Sequence, residues 1–128
     1  MSQSPKPSVV LFVSDVARVS VFYREIASMH VAFADDDHVV LTFEGFELVV
    51  HRLSREPEIN ANIVATPRDD SYSKLCLPVQ DIEAARGIAA RLGGVIKPQS
   101  FEWSARGFRA CDGHDPEGNV IQVRQADS

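Results

Sequence analysis

Val9-Val10-Leu11-Phe12-Val13-Ser14-Asp15 and Leu75-Cys76-Leu77-Pro78-Val79-Gln80-Asp81 carry one pattern twice, and that pattern decides the fold. Each is a short apolar run that reads as a strand and ends at an aspartate. Each aspartate reads as a helix N-cap, its carboxylate available to the free amides of the next turn. Val16, Val19, Phe22, Tyr23 and Ile26 then recur at helical spacing and predict a helix over 16–27. After Asp81 the stripe is Ile82, Ala85, Ile88, Ala89 and Leu92. Gly93-Gly94 ends that second helix, where a left-handed residue is needed.

Three strands are expected to follow each helix. In the first copy a short strand lies near Val31-Ala32-Phe33, and Asp35-Asp36-Asp37 marks a turn. Strands over 38–43 and 46–53 flank the tight turn Glu44-Gly45. In the second copy Val95-Ile96 begins a strand, and 101–103 with 107–111 suggest a hairpin. The turn Asp115-Pro116-Glu117-Gly118 then leads into a last strand over 119–124. Residues 54–70 hold two prolines, two asparagines and several charges, and read as a linker. The expectation is one α+β domain over 1–128, made of two β-α-β-β-β modules at about 8–53 and 71–125. An internal repeat is stronger evidence than any single element. Neither module alone buries much core, so the two should pair.

Composition narrows the function classes. Of 128 residues, 45% are hydrophobic, which suits a globular chain. The net charge of -5 disfavours nucleic acid, whose phosphates need a basic surface. No apolar run reaches the ~18 residues of a membrane span. Met1-Ser2-Gln3-Ser4-Pro5-Lys6-Pro7 lacks the apolar stretch of a signal peptide. Cys76 and Cys111 have no metal-like spacing and are expected as reduced thiols in a cytoplasmic protein. His30, His38 and His114 fall at helix ends or turns, where surface placement is expected.

The layout resembles the vicinal oxygen chelate superfamily, the group of glyoxalase I, bleomycin-resistance proteins and extradiol dioxygenases. Two motifs carry the resemblance: the strand–Asp–helix ending in Phe22-Tyr23, and Asp115-Pro116-Glu117-Gly118-Asn119 before a strand. The resemblance implies a half-open curved sheet with the helices outside and a ligand cup inside. Strand alternation then turns Ser8, Val10, Phe12, Glu47, Val49, His51, Lys74, Cys76, Gln122 and Arg124 toward the cup, and Val9, Leu11, Val13, Leu48, Val50, Leu77, Ile121 and Val123 toward the helices. Metal-dependent members use ligands from the first and last strand of each module, which correspond here to Ser8, Glu47 or Val49, Lys74, and Gln122. A hydroxyl, an ammonium and an amide make a poor donor set for a divalent ion. No cofactor is therefore expected, and Lys74 is expected to pair with Glu47. The alternative is a divalent metal held at a displaced pair, Glu47 and His51.

Residues 101–108 combine aromatic and charged side chains, among them Trp103 and Arg106. An aromatic with a polar handle stacks well on a planar ligand at a pocket mouth, and it serves equally well in a core or a dimer interface. The expected ligand pocket comprises Ser8, Phe12, Glu47, His51, Lys74, Trp103, Arg106 and Gln122. Three readings of function follow from the resemblance: a metal-free binding protein that sequesters an antibiotic or other small compound, a glyoxalase-like lyase or isomerase with a non-standard site, and a dimerisation module with a vestigial cup. The expected partners are a small-molecule ligand and a second copy of the chain in a homodimer, with neither nucleic acid nor membrane.

Overall fold

A computed structural model describes residues 5–54 and 66–127. The first module runs β1 (Ser8–Val13), α1 (Val16–Ile26), β2 (His30–Ala34), β3 (His38–Phe43) and β4 (Phe46–Arg52). The second runs β5 (Leu75–Pro78), α2 (Ile82–Arg91), β6 (Val95–Ile96), a 3-10 turn at Gln99–Phe101, β7 (Trp103–Ala105), β8 (Phe108–His114) and β9 (Val120–Ala126). The architecture is α+β, with sheets ordered β1-β4-β3-β2 and β5-β9-β8-β6. In each sheet the strand before the helix lies parallel to the module's last strand. Most of the expected linker, residues 55–65, lies outside the described residues.

Three local expectations change. Phe101 is not in a strand: it closes the 3-10 turn, and the strand starts at Trp103. That turn interrupts one strand position, so β6 and β7 both pair with β8. Strand β8 runs past Cys111 to His114, because Asp112, Gly113 and His114 stay in register with Gln122, Ile121 and Val120. Asp15 caps α1, accepting the Arg18 amide at 3.0 Å. Asp81 makes no such bond; the Gln125 side chain on β9 reaches over and accepts the Ile82 amide at 2.8 Å.

The apolar stripes of α1 and α2 cover one face of each sheet and merge into one core. Val13, Leu41, Leu48 and Val50 from the first sheet and Cys111, Ile121 and Val123 from the second are fully buried in it. Leu77 faces the same way, whereas Val9, near the start of edge strand β1, is exposed. The modules meet through this helix-bearing side. Phe22 packs where a Cβ on Gly94 would lie, so that glycine sets the approach of α1 to the end of α2. The Tyr23 hydroxyl donates to Asp115 Oδ2 at 2.8 Å, in the other module. Fully burying such side chains contributes ~1.5–3 kcal/mol each.

The turn at Asp115 completes the joint. Asp115 Oδ1 accepts the amides of Glu117 (2.8 Å) and Asn119 (3.0 Å), and Oδ2 accepts Asn119 Nδ2 as well as Tyr23. Glu117 reaches into the first module. Its carboxylate accepts the Ser14 amide at 2.8 and 3.0 Å and the Asp15 amide at 2.8 Å. A carboxylate thus sits at the positive end of α1, where it is stabilised.

Candidate functional site

With the helix sides joined, each sheet keeps one open face. Large apolar side chains remain exposed there: Val10 at 48% and Phe12 at 55% on β1, and Phe33 at 49% on β2. Trp103 on β7 is exposed at 43%.

The expected pocket residues divide between these two faces. Ser8 and Phe12 lie on the first, as cross-strand partners of Glu47 and His51. On the second face Gln122 is the partner of Asp112, and Trp103 is the partner of Ala110. Lys74 immediately precedes β5, and Arg106 sits in the turn between β7 and β8. Lys74 does not pair with Glu47: its ammonium lies 3.2 Å from Asp112 Oδ1. Asp112 stands on the same face as Lys74, whereas Glu47 belongs to the other sheet. His114 is not on the surface but 7% exposed, at the end of β8, with Nδ1 held 2.9 Å from the Asp115 carbonyl oxygen. His30 and His38 are strand residues in β2 and β3.

A polar relay crosses the second face. Arg124 Nε donates to Gln122 Oε1 at 2.7 Å, and Gln122 Nε2 donates to Asp112 Oδ1 at 3.0 Å, the oxygen that also receives Lys74. Partial burial pushes the Asp112 pKa up, but the hydrogen bonds from Gln122 and Lys74 and the Lys74 and Lys97 charges outweigh it, and the net shift is downward. The relay is therefore charged at neutral pH. It borders an aromatic floor. The guanidinium carbon of Arg124 lies 4.6 Å from the Phe108 ring centroid, and that of Arg106 lies 5.0 Å from it. Trp103 stands 6.4 Å from the same ring. At the Lys74 end a cleft of about 560 Å³ opens, lined by Tyr72, Lys74, Lys97, Asp112, His114 and Val120 among others.

These contacts decide how well the metal position of the resembling family is served. Both functional ends of Gln122 are occupied, Lys74 is salt-bridged, and Ser8 with Glu47 or Val49 belongs to the other sheet, which leaves Glu47 as the single strong donor. The residues at that position do not fit a divalent ion. Among the described residues no three His, Cys, Asp or Glu side chains gather as a metal site.

Sequence reasoning included Phe108 in the stretch 101–108 but missed Asp112 on this face. The hairpin strand was expected over 107–111 and the turn at Asp115-Pro116-Glu117-Gly118, so Asp112 was left between the two. Continuing the alternation from Ala110 through the partner of Gln122 would have turned Asp112 to the open face.

No protein-family model matches the chain, and a search of curated proteins finds no match. Solved structures do match over its whole length. An integron cassette protein from V. cholerae is 22% identical, with 99% of this chain and 98% of that one covered and a TM-score of 0.64. A fosfomycin resistance protein, FosX, from Listeria monocytogenes, complexed with Mn(II) and a dihydroxypropylphosphonic acid, is 12% identical over 99% and 93%, with a TM-score of 0.66. A glyoxalase/bleomycin resistance protein/dioxygenase family enzyme from Burkholderia phytofirmans is 13% identical over 94% and 97%, with a TM-score of 0.67. Two repeated modules joined at the Tyr23–Asp115 contact, and these likenesses along the full chain, give the protein the fold of the vicinal oxygen chelate superfamily.

Proposed function

We propose that this protein binds a small organic anion with a planar part on the open face of its second sheet, sequestering it as a glyoxalase/bleomycin-resistance-type binding protein without a metal at the family position. The observation that carries the reading is the pair of guanidinium groups against one ring, Arg124 and Arg106 on Phe108, beside the half-exposed Trp103. Stacking leaves the in-plane N–H donors of an arginine available for a second partner. A guanidinium grips a carboxylate or phosphonate bidentately, and an indole face covers a planar group. The phosphonic acid held by the Listeria structure belongs to this charge class.

A second copy of the chain completes the cup in this reading. The first face offers Glu47 with exposed Phe12 and Phe33, and the second offers Lys74, Arg106 and Arg124 with exposed Trp103. The faces are complementary in charge, and both leave apolar surface for burial. A homodimer placing the first face of one copy over the second face of the other would enclose the ligand. With its two thiols reduced, the protein would work in the cytoplasm.

A thermal-shift panel of aryl carboxylates and phosphonates, followed by calorimetry, tests the reading. At least one of these anions should bind, EDTA should leave the affinity unchanged, and Arg124→Gln or Trp103→Ala should weaken it about tenfold or more, as loss of a desolvated charge contact does. Wild-type affinity in both variants would refute the site. Light scattering should give a dimer mass, which Phe12→Asp reduces. A dimer that binds none of the anions would favour the dimerisation module instead.

A further inference from the structure

The first open face carries a row of four rings that the anion site does not use. Phe12, His51, His38 and Phe33 follow one another with centroid separations of 5.5, 5.5 and 5.2 Å. His38 and His51 are direct cross-strand partners on β3 and β4, with ring planes 17° from parallel. Each imidazole is held by Nδ1. That of His51 lies 2.8 Å from the Arg52 carbonyl oxygen, and that of His38 lies 3.1 Å from Asp35 Oδ1. A carbonyl oxygen only accepts, so Nδ1 of His51 carries the proton. Asp35 imposes the same tautomer. Its Oδ1 accepts the Asp37 and His38 amides at 2.8 and 2.9 Å and so faces the ring as an acceptor. With the proton on Nδ1, the lone pair that can ligate is on Nε2 of each ring.

From this arrangement we infer that His38 and His51 form a two-imidazole site for a borderline divalent transition-metal ion of the zinc, nickel or copper type. An imidazole that ligates a metal through one nitrogen usually donates its other N–H to a carboxylate or a backbone carbonyl, which fixes tautomer and orientation. Asp35 supplies the carboxylate here and Arg52 the carbonyl. With metal–nitrogen bonds of ~2.0–2.1 Å, two rings sharing one ion place their centroids about 5–5.5 Å apart. The observed separation of 5.5 Å lies in that range; the ring planes are 17° from parallel, so both rings must turn until their Nε2 lone pairs converge on one ion. Phe12 and Phe33 close the two ends of the row. Two protein ligands leave the remaining positions to water, so the site is weak and fills when the ion is added. It is separate from the family's metal position, to which neither histidine corresponds.

Calorimetric titration of the untagged protein with Ni²⁺ tests the inference. One ion per chain should bind, and His38→Gln or His51→Gln should each lower the affinity at least tenfold. His38→Phe keeps a ring in the row and should have the same effect, which separates lost ligation from lost packing. Asp35→Asn should weaken binding about tenfold through the imidazole it orients. In NMR spectra the imidazole signals of His38 and His51 should broaden before those of His30 and His114. Arg124→Gln, which removes the proposed anion contact, should leave Ni²⁺ binding as in the wild type, so the two readings fail separately. Unchanged titrations in the histidine variants, or broadening centred on His30 or His114, would overturn the inference.

Discussion

Glu117→Ala removes the carboxylate through which the second module holds the start of α1. The side chain is 6% exposed and accepts two backbone amides from the first module, Ser14 at both oxygens and Asp15 at one. Hydrogen bonds to a charged group contribute ~1.5–3 kcal/mol each, so two orphaned donors cost about 3–6 kcal/mol. The charge at the helix N-terminus adds ~0.3–1 kcal/mol. Water entering the space left by the side chain recovers part of this, and the expected loss is about 3–4 kcal/mol, large against a total stability of ~5–15 kcal/mol. At roughly 3–5 °C per kcal/mol for a chain of this length, Tm should fall by about 10–15 °C. Urea unfolding followed by circular dichroism measures it, at one protein concentration because association would shift the midpoint. Glu83→Ala is the control: that carboxylate is 74% exposed and its pairing with Arg86 is worth ~0–1 kcal/mol. A loss in Glu117→Ala no larger than the control's would refute the view that this turn locks the modules together.

Two further outcomes follow from buried titratable groups. Burial, with Asp115 adding to it, raises the Tyr23 pKa well above its ordinary 10.0. The folded state keeps the phenol protonated where the unfolded state ionises, so stability should fall as pH rises above 10, and Tyr23→Phe should flatten that fall relative to wild type while losing about 1–2 kcal/mol at neutral pH through its hydrogen bond. Burial also raises the Cys111 pKa against the opposing pull of Arg86. A thiol reagent at neutral pH should therefore label the partly exposed Cys76 well before the buried Cys111, and equal rates at both sites would contradict the packing.

The fold was legible because its signals are local and repeated. Asp15, the stripe from Val16 to Ile26, Gly93 and the Asp115 turn each obey a short-range rule, and the strand–Asp–helix order occurs twice. The second helix shows where local rules stop. Asp81 has the right residue type for a cap, yet a glutamine distant in sequence, Gln125, supplies the bond. The site was legible in part. Alternation placed Phe12, His51 and Gln122 on open faces, but pairing between faces depends on how the modules dock, and Lys74 found Asp112 rather than Glu47. His114 was expected outside because the Asp115 turn follows it directly; the strand instead runs on through it and buries it beside the Lys74 cleft, where the Asp115 carbonyl holds it.

The motifs that make the fold recognisable are joints rather than chemistry. Tyr23 is buried against the Asp115 turn and Phe22 against Gly94, and Glu117 caps the opposite module. Neither motif contributes a side chain to the relay or to the ring row. The open faces have a different logic. Each of their functional pairs is a cross-strand or interstrand neighbour: His38 with His51, Asp112 with Gln122, Trp103 over the hairpin that carries Phe108. A change at one of these positions leaves the joint and its buried hydrogen bonds intact. The scaffold can therefore hold its fold while the side chains on the open faces change. If the protein binds an anion as proposed, its specificity has to be sought on those faces, residue by residue, and the arginines beside Phe108 are where positive charge meets an aromatic ring.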